Sequence, residues 1–356
     1  MPKEKNKMNF ASAINDALHV SMTKDKNMIC YGLGATDPKN IFSTTKNLQK
    51  RFGPRRVFDV PTSENALTGI SIGAALNGIR SVVTHQRLDF FLLAMDQLVN
   101  SAAKWYYMFG SQRPVPITIR LILGRGWGQG PTHSQNLQAW FNHIPGLKVV
   151  MPSFADDAKG LLISSIFDPN PVIFLEHRWL HNTNAIIKKG NYKVKIGKAK
   201  ICKKGKHITI LSMSYLTLEA IKAAKYLYDK FNISAEIIDL RTIKPLDWTT
   251  IFNSVKKTKR LLVLDTGFTT GSVAAEIIAK IAIEKFNMLK SAPIRLAMPD
   301  VPEPTSSALT KNFYTRADDI VISVLKSLRI DYKNIKIDIN QPGPADVPDP
   351  NFKGPF

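Results

Sequence analysis

Residues 57–65 read Val57-Phe58-Asp59-Val60-Pro61-Thr62-Ser63-Glu64-Asn65, and they join a short strand to a helix. The stretch Val57–Val60 is rich in β-branched and aromatic residues, which is typical of a strand. Small and apolar residues follow over Asn65–Leu76 and predict a helix. In α/β proteins the loop after a strand borders the crevice in which ligands bind. The stretch therefore indicates an α/β fold and places the Glu64 carboxyl group at a ligand site.

The same alternation of strands and helices continues along the first half of the chain. The predicted strands are Met28–Gly32, Val57–Val60, Ser81–His85, Val115–Leu121, Lys148–Met151 and Val172–Glu176. The predicted helices are Asn9–Met22, Thr44–Phe52, Asn65–Leu76, Phe91–Met108 and Phe154–Phe167. Strands that alternate with helices predict mainly parallel sheets flanked by helices.

Length and composition divide the chain of 356 residues into four segments. We expect one α/β domain over residues 8–181 and a second over residues 207–330, because a chain of this length can bury two cores. Residues 182–206 are polar and rich in Lys and Gly, which favours a linker with room for one hairpin. Residues 331–356 are rich in Pro and Asn, so we expect an extended tail that is free to pack against a partner.

Charge and composition argue against several classes of protein. The formal net charge is +21, yet the lysines are spread over helices and loops, and no nucleic-acid-binding motif is present. Nucleic-acid binding is therefore not expected, although the basic surface could dock an acidic partner. We find neither a membrane-spanning apolar run nor a signal peptide, so no membrane association is expected. Cys30 and Cys202 lie far apart, which disfavours a disulfide or a cysteine metal site and fits the reducing cytoplasm.

Four further segments follow Glu64 in a characteristic order, and these are Asp96–Lys104, Gly126–Gln135, Pro145–Pro152 and Asp239–Asp247. Together with residues 57–65, they resemble the beta subunit of thiamine-diphosphate-dependent 2-oxo acid dehydrogenases, such as pyruvate dehydrogenase. That family is related to the C-terminal two thirds of transketolase. The resemblance covers about residues 10–330. It implies a transketolase-like pyrimidine-binding domain followed by a transketolase C-terminal-like domain.

The resemblance assigns three side chains to the cofactor and the reaction. Glu64 matches the carboxyl group that hydrogen-bonds the pyrimidine ring of thiamine diphosphate, and Phe90 matches the ring that stacks on it, with Phe91 as second choice. His133 matches a histidine that faces thiazolium and substrate and can move protons near neutral pH. Each has an ordinary alternative. These are a glutamate that stabilises a helix start, a core phenylalanine, and a loop histidine with a structural hydrogen bond.

The resemblance also implies a structural potassium ion, for which hard oxygen ligands are suited. Main-chain oxygens together with an Asp and an Asn would bind it, and the matching positions are Ile117, Thr118, Ser165, Ile166, Asp168 and Asn170. The sequence Asp168-Pro169-Asn170-Pro171 is also well suited to a turn that stops a helix. The two interpretations are compatible.

One part of the family's cofactor site is missing from the chain. The Gly-Asp-Gly motif that binds the cofactor's diphosphate and Mg²⁺ is nowhere in the sequence. The resemblance therefore implies a separate alpha subunit that holds both groups. It also implies an α2β2 assembly, in which a second beta subunit pairs with the first mainly through the C-terminal domains. The predicted helix at residues 273–283 is apolar over more than one stripe, so it could serve both a core and this interface.

These features favour the beta subunit of an enzyme that decarboxylates a 2-oxo acid such as pyruvate. It would pass the acyl group to the lipoyl arm of an acyltransferase core or to another acceptor. His85-Gln86-Arg87 departs from the family, which has apolar residues near there, and puts the usual substrates in doubt. A second hypothesis is half of a split transketolase-like enzyme in which Arg87, Arg125 and Arg178 meet a sugar phosphate. A third hypothesis is a non-catalytic scaffold subunit, which the presence of Glu64 and His133 disfavours.

Overall fold

The computed structural model describes residues 6–125, 128–340, 343–348 and 354. The strands in these parts of the chain are β1 (Lys7–Asn9), β2 (Ile29–Gly32), β3 (Val57–Asp59), β4 (Ser81–His85), β5 (Ile117–Leu123), β6 (Lys148–Val150), β7 (Val172–His177), β8 (Asn184–Ile186), β9 (Lys200–Lys203), β10 (Ile208–Ser212), β11 (Ala235–Asp239), β12 (Thr242–Lys244), β13 (Leu261–Phe268) and β14 (Ile294–Met298). The α-helices are α1 (Phe10–Lys24), α2 (Leu48–Phe52), α3 (Glu64–Leu76), α4 (Leu88–Phe91), α5 (Ala103–Met108), α6 (Gln138–His143), α7 (Ala155–Ile166), α8 (Leu216–Phe231), α9 (Trp248–Thr258), α10 (Val273–Lys285), α11 (Ser307–Thr310) and α12 (Ala317–Leu328). None of these helices is both long and apolar enough to cross a lipid bilayer.

The strands form two large sheets. The first has the order β12-β6-β7-β5-β4-β2-β3, and all its neighbours are parallel except β12, which runs antiparallel to β6. The second has the order β14-β13-β10-β11-β9, with β9 as its antiparallel edge. The predicted α/β class with mainly parallel sheets is confirmed. Because parallel strands end at the same edge, the loops after β3, β4, β5 and β7 are neighbours.

The first helix shows how local sequence builds the layer that covers the first sheet. Asn9 precedes α1, and its side chain accepts a hydrogen bond from the backbone N–H of Ser12 at 2.8 Å, which caps the helix. Phe10, Ile14 and Leu18 recur every fourth residue, are fully buried and belong to the hydrophobic core. Burial of each such side chain stabilises the fold by about 1.5–3 kcal/mol.

Two connections differ from the predicted arrangement. Residues 182–206, all of which the structure describes, form no hairpin, because β8 pairs with β1 and β9 pairs with β11. The two strands in this segment therefore belong to different sheets. The chain also returns from β11 to the first sheet, where β12 pairs with β6. Such pairings join residues far apart in sequence, and local patterns do not reveal them.

Two predicted helices are also shorter or divided. The helix α2 begins only after Asn47, whose φ of 62° is left-handed and interrupts a right-handed helix. The single helix predicted over Phe91–Met108 is divided into the end of α4, a 3₁₀ turn at Leu92–Ala94, a π-helical turn at Gln97–Ala102, and α5. π-helical turns occur frequently at functional sites, and this one follows shortly after Phe90.

The described part of the C-terminal tail packs on the chain itself. Val347 is buried in the core. Arg316 Nη1 donates hydrogen bonds to the carbonyl oxygens of Ala345 (3.3 Å) and Val347 (3.4 Å). Residues 343–348 therefore contact the rest of the same chain, and packing of the tail against a partner stays a prediction.

Candidate active site

The side chains that the sequence assigns to chemistry come from one edge of the first sheet. Glu64 follows β3, Phe90 follows β4, and His133 follows β5. Arg87 also follows β4, and Arg178 follows β7. Since these strands are parallel members of the same sheet, their carboxyl ends share an edge. The topology thus gathers into one region residues that are more than a hundred positions apart.

Glu64 is a buried carboxylate at the start of a helix. It is the first residue of α3 and only 3% exposed. Its main-chain oxygen accepts a hydrogen bond from Thr68 Oγ1 at 3.0 Å. Among the described residues, its side chain has no hydrogen-bond or ion-pair partner. The helix dipole offsets only part of the cost of burying such a group. The environment therefore fits a ligand that donates a hydrogen bond to the carboxylate.

Phe90 and His133 meet although they come from different loops. Their ring centroids are 5.4 Å apart, with the ring planes nearly perpendicular at 86°. Phe90 is 39% exposed, whereas Phe91 is fully buried and packs edge-on against His85. Phe90 is therefore the ring available for stacking, and Phe91 is a core residue. The Thr132 hydroxyl lies 3.0 Å from His133 Nδ1 and orients the imidazole.

The loop that carries His133 is held by contacts from distant parts of the chain. Gly128 has a φ of +68°, and a Cβ atom there would lie 2.7 Å from the carbonyl oxygen of Thr305, so the position requires glycine. Its N–H donates a hydrogen bond to Asp346 Oδ2 at 2.7 Å, which links the loop to the tail. Gly126 and Trp127, which belong to the predicted motif, lie outside the described residues.

Two arginines converge on this loop. Arg87 Nη1 donates a hydrogen bond to Gln129 Oε1 at 3.0 Å and another to the main-chain oxygen of His133. Arg178 Nη2 donates to the same Gln129 oxygen, and its Nε donates to the main-chain oxygen of Arg125 at 3.2 Å. The structure therefore brings together the three arginines that the sequence placed on separate loops.

Burial changes the acidity of groups around these arginines. Burial, and after it the charge of Arg87, lowers the pKa of Arg178 to about 9, which leaves it protonated at neutral pH. Burial raises the pKa of Asp89, and hydrogen bonds from the Gln135 side chain (3.0 Å) and amide (3.2 Å) oppose this shift. Burial also raises the pKa of Glu303 to about 7. Arg178 is therefore cationic at neutral pH, while burial disfavours the charged forms of the Asp89 and Glu303 carboxyl groups.

Arg125 has a structural role. It is 1% exposed, and its guanidinium lies over three rings, with centroid distances of 4.1 Å to Trp179, 4.8 Å to Tyr215 and 3.5 Å to Tyr314. Its Nη1 also donates to the Tyr215 hydroxyl at 2.7 Å. Cation–π contacts of this kind each contribute roughly 0.5–2 kcal/mol. Arg125 therefore connects the end of β5 to the C-terminal half of the chain, while its Nε and Nη2 have no hydrogen-bond partner among the described residues.

His85, which departs from the family pattern, is a core residue. It is 1% exposed, and neither ring nitrogen has a hydrogen-bond partner among the described residues. Burial lowers its pKa to about 4, so the imidazole is neutral at physiological pH. Its ring packs against Phe91 at a centroid distance of 4.9 Å. His85 therefore supports the ring layer beneath the site, and Arg87 is the member of the tripeptide that faces the site.

Two of the six predicted potassium ligands, Ile166 and Asp168, already contact cationic side chains. Arg80 Nη1 donates to the main-chain oxygens of Ile166 (3.3 Å) and Asp168 (3.5 Å). The Lys148 ammonium binds both carboxylate oxygens of Asp168, at 2.8 and 2.6 Å. The Asn170 amide N–H bonds the same carboxylate at 2.9 Å, as in the predicted turn. These contacts do not fit a further cation, so the potassium site stays a prediction and carries no step below.

Three polar residues of this region had no role among the sequence-based predictions. Gln129 belongs to the glycine-rich motif, but its position between two guanidiniums depends on the folded loops. Glu303 lies in a Pro-Glu-Pro segment and is 2% exposed. Asp346 lies in the tail, more than two hundred positions from its partner Gly128. Only the location of Gln129 within a motif could have signalled its involvement.

The chain is similar in sequence to known protein families over most of its length. Residues 6–183 match the family described as "Transketolase, pyrimidine binding domain", and residues 197–320 match "Transketolase, C-terminal domain". The chain is 40% identical over 318 residues to the mitochondrial pyruvate dehydrogenase E1 component subunit beta-2 of Oryza sativa subsp. japonica, covering 88% of this chain and 84% of that protein. It is also 40% identical over 315 residues to the pyruvate dehydrogenase E1 component subunit beta of Rickettsia bellii, covering 88% and 96%.

A solved structure shares the fold. It is described as "Split gene transketolase, inactive beta4 tetramer", and it superposes with a TM-score of 0.73 over 91% of this chain and 99% of that chain. The sequence identity is 18%, so this likeness concerns the fold alone. The relatives in the preceding comparison are more than twice as similar in sequence and span nearly the whole length. The chain belongs to the family of pyruvate dehydrogenase E1 component beta subunits.

Proposed function

We propose that the chain is the beta subunit of a thiamine-diphosphate-dependent 2-oxo acid dehydrogenase that decarboxylates a 2-oxo acid such as pyruvate. The observation that carries the proposal is the placement of Glu64, Phe90 and His133 at one sheet edge. There, Glu64 is buried without a side-chain partner among the described residues, and Phe90 meets His133. A non-catalytic scaffold would not need this arrangement.

Each of the three residues has a distinct role in this proposal. The Glu64 carboxyl group holds a proton at the pyrimidine ring of the cofactor, and Phe90 supports the face of that ring. His133 binds and orients the substrate, and its imidazole can exchange protons near neutral pH. When bound, thiamine diphosphate supplies the electron sink that decarboxylation requires.

The proposal requires a partner chain. The sequence has no Gly-Asp-Gly motif, so a separate alpha subunit supplies the diphosphate and Mg²⁺ ligands in an α2β2 assembly. Helix α10 supports pairing with a second beta subunit. Its inner face is buried through Ile277 and Ile281, whereas Ile283 is 83% exposed and Phe286, just beyond it, is 69% exposed. The acyl acceptor is a lipoyl group of an acyltransferase core or another acceptor. The free cysteines Cys30 and Cys202 support a reducing location such as the cytoplasm.

A second candidate function is half of a split transketolase-like enzyme that acts on sugar phosphates. The observation that favours it is the convergence of Arg87 and Arg178 on Gln129, since paired guanidiniums suit phosphate groups. The substrate screen described below separates the two candidates.

The isolated full-length chain is expected to bind thiamine diphosphate weakly or not at all, even with Mg²⁺. The physical reason is that most cofactor affinity comes from charged contacts to diphosphate and metal, which this chain does not supply. Isothermal titration of the chain alone, of the alpha subunit alone, and of their mixture measures this. We expect tight binding only in the mixture. Tight binding by the chain alone would show that it has a diphosphate site of its own.

A further inference from the structure

Arg87 and Arg178 direct two guanidinium groups at one uncharged acceptor. Both donate hydrogen bonds to Gln129 Oε1, and Arg87 also donates to the main-chain oxygen of His133. The described residues contain no ion pair of Arg87 within 4.0 Å. Guanidinium groups present several parallel donors that match carboxylate and phosphate oxygens. The two side chains are therefore arranged around a position that an oxyanion would occupy better than an amide.

Charged side chains of both signs surround this position. Arg125 lies next to Arg178, so three guanidiniums are close together. Asp89, which is half-buried, and Glu303, which is buried, are acidic groups that act on them. Asp89 is directed at Gln135, from which it accepts two hydrogen bonds. Asp346 is a third carboxyl group near this position, because it accepts a hydrogen bond from the Gly128 N–H beside Gln129. The two guanidiniums that converge on Gln129 therefore attract an anion through their directed donors and not through an excess of local charge.

The position also borders the reaction centre. Arg87 contacts the main chain of His133, and the His133 ring contacts Phe90. Arg87 and Gln129 are half-buried, so solvent reaches part of both side chains. A substrate that reacts beside His133 can therefore extend a second polar group to the arginines.

We propose that Arg87 and Arg178 form a subsite for a compact oxyanion at the end of the substrate that does not react. This inference rests on the proposed function and adds a substrate class to it. The substrate carries a second anionic group, either a phosphate ester or a distal carboxylate, in addition to the reacting carbonyl. Arg87 replaces the apolar surroundings that the family resemblance leads one to expect there. A pocket for small apolar acyl groups thereby becomes a pocket for a substrate that carries a second anionic group.

The test compares three substrates in the complex reconstituted from the full chain, the alpha subunit, thiamine diphosphate and Mg²⁺. The probes are pyruvate, 2-oxoglutarate with its distal carboxylate, and xylulose 5-phosphate with its phosphate ester, each read out by reduction of ferricyanide as artificial acceptor. We expect kcat/KM to be higher for one anionic probe than for pyruvate. The substrate ratio is kcat/KM for that anionic probe divided by kcat/KM for pyruvate. In Arg87→Gln the substrate ratio falls by about 10- to 100-fold, the range for a lost hydrogen bond to a charged group. Arg87→Lys retains part of the preference.

Arg113→Gln is the matched control. Arg113 also donates Nη1 to a main-chain oxygen, that of Leu76 at 3.3 Å, but it precedes β5 and lies at the opposite edge of the sheet. Replacement of Arg113 should leave the ratio of kcat/KM for the anionic probe to kcat/KM for pyruvate unchanged. Titration with inorganic phosphate gives a readout that does not depend on turnover. We expect binding by the wild-type chain and none by Arg87→Gln.

The outcomes separate the subsite from the proposed function. Turnover of pyruvate with the same substrate ratio in wild type and Arg87→Gln would overturn the subsite and leave the proposed function intact. A cofactor-loaded complex that converts xylulose 5-phosphate but releases CO2 from no 2-oxo acid would overturn the proposed function in favour of the transketolase-like candidate. Even if the proposed function fails, loss of phosphate binding in Arg87→Gln would support the subsite. Phosphate binding that is the same in Arg87→Gln and in wild type would overturn the subsite.

Discussion

The Glu64→Gln variant is expected to lower turnover of the reconstituted complex by about 10²–10⁴-fold, the range for removal of an acid–base group. Glutamine keeps the size of the side chain but cannot hold or give up a proton at the pyrimidine ring. The fold should stay intact, because the described residues show no side-chain hydrogen bond or ion pair that the substitution would break. Initial rates with pyruvate and far-ultraviolet circular dichroism measure the two effects.

Asp318→Asn is a suitable control for this prediction. Asp318 also lies in the first turn of a helix, α12, so its replacement removes a similar interaction with a helix dipole. It lies far along the chain from the candidate site and should leave turnover unaffected. Activity of Glu64→Gln within about twofold of wild type would be far outside the range for an acid–base group. That result would rule out Glu64 as the group that holds a proton at the pyrimidine ring.

The second large effect concerns stability and the buried ion pair of the first sheet. Arg120 on β5 and Glu176 on β7 are both fully buried, with Arg120 Nη2 2.5 Å from Glu176 Oε1. Arg120→Met leaves the carboxyl group buried without its cation. Removal of one partner of such a pair typically costs about 3–5 kcal/mol of unfolding free energy. Urea unfolding of the full chain, followed by fluorescence, measures the loss.

The loss should depend on pH in a defined direction. Burial already raises the pKa of Glu176 in the folded chain, and Arg120 opposes this shift. Without Arg120 the folded pKa rises further above the unfolded value, so the folded state binds an extra proton. Stability then falls as pH rises from the unfolded pKa through the folded one, and the cost is greater at high pH than at low pH.

Two further variants make this prediction specific. The double variant Arg120→Met with Glu176→Leu removes both charges and should recover most of the stability. Lys280→Met breaks an exposed pair, since Lys280 and Glu284 lie four residues apart on α10 at 2.6 Å, and should cost less than about 1 kcal/mol. Equal losses for Arg120→Met and Lys280→Met would contradict the account.

Local sequence patterns predicted the part of the site that depends on neighbouring residues. A β-branched run before small apolar residues is enough to place Glu64 between β3 and α3, and the alternation of strands and helices is enough to predict mainly parallel sheets. The family resemblance assigned the stacking ring to Phe90 before Phe91, and the structure shows that the Phe90 ring is accessible and that of Phe91 is not. These features are encoded within about fifteen residues of each position.

The remaining features depend on contacts between distant segments. The pairing of β12 with β6 and the bond from Gly128 to Asp346 each join residues that no local pattern relates. The convergence of Arg87 and Arg178 requires the order β7-β5-β4 within the sheet, which periodicity alone does not specify. The division of the helix predicted over Phe91–Met108 was missed because a π-helical turn preserves apolar spacing on either side of it.

The measurement that tests the central claim most directly is the release of CO2 from pyruvate and other 2-oxo acids by the full chain together with its alpha subunit, thiamine diphosphate and Mg²⁺. We predict that CO2 is released from at least one 2-oxo acid, that both chains are required, and that Glu64→Gln abolishes most of the activity. An assembled complex that binds thiamine diphosphate yet releases no CO2 from any 2-oxo acid would contradict the account.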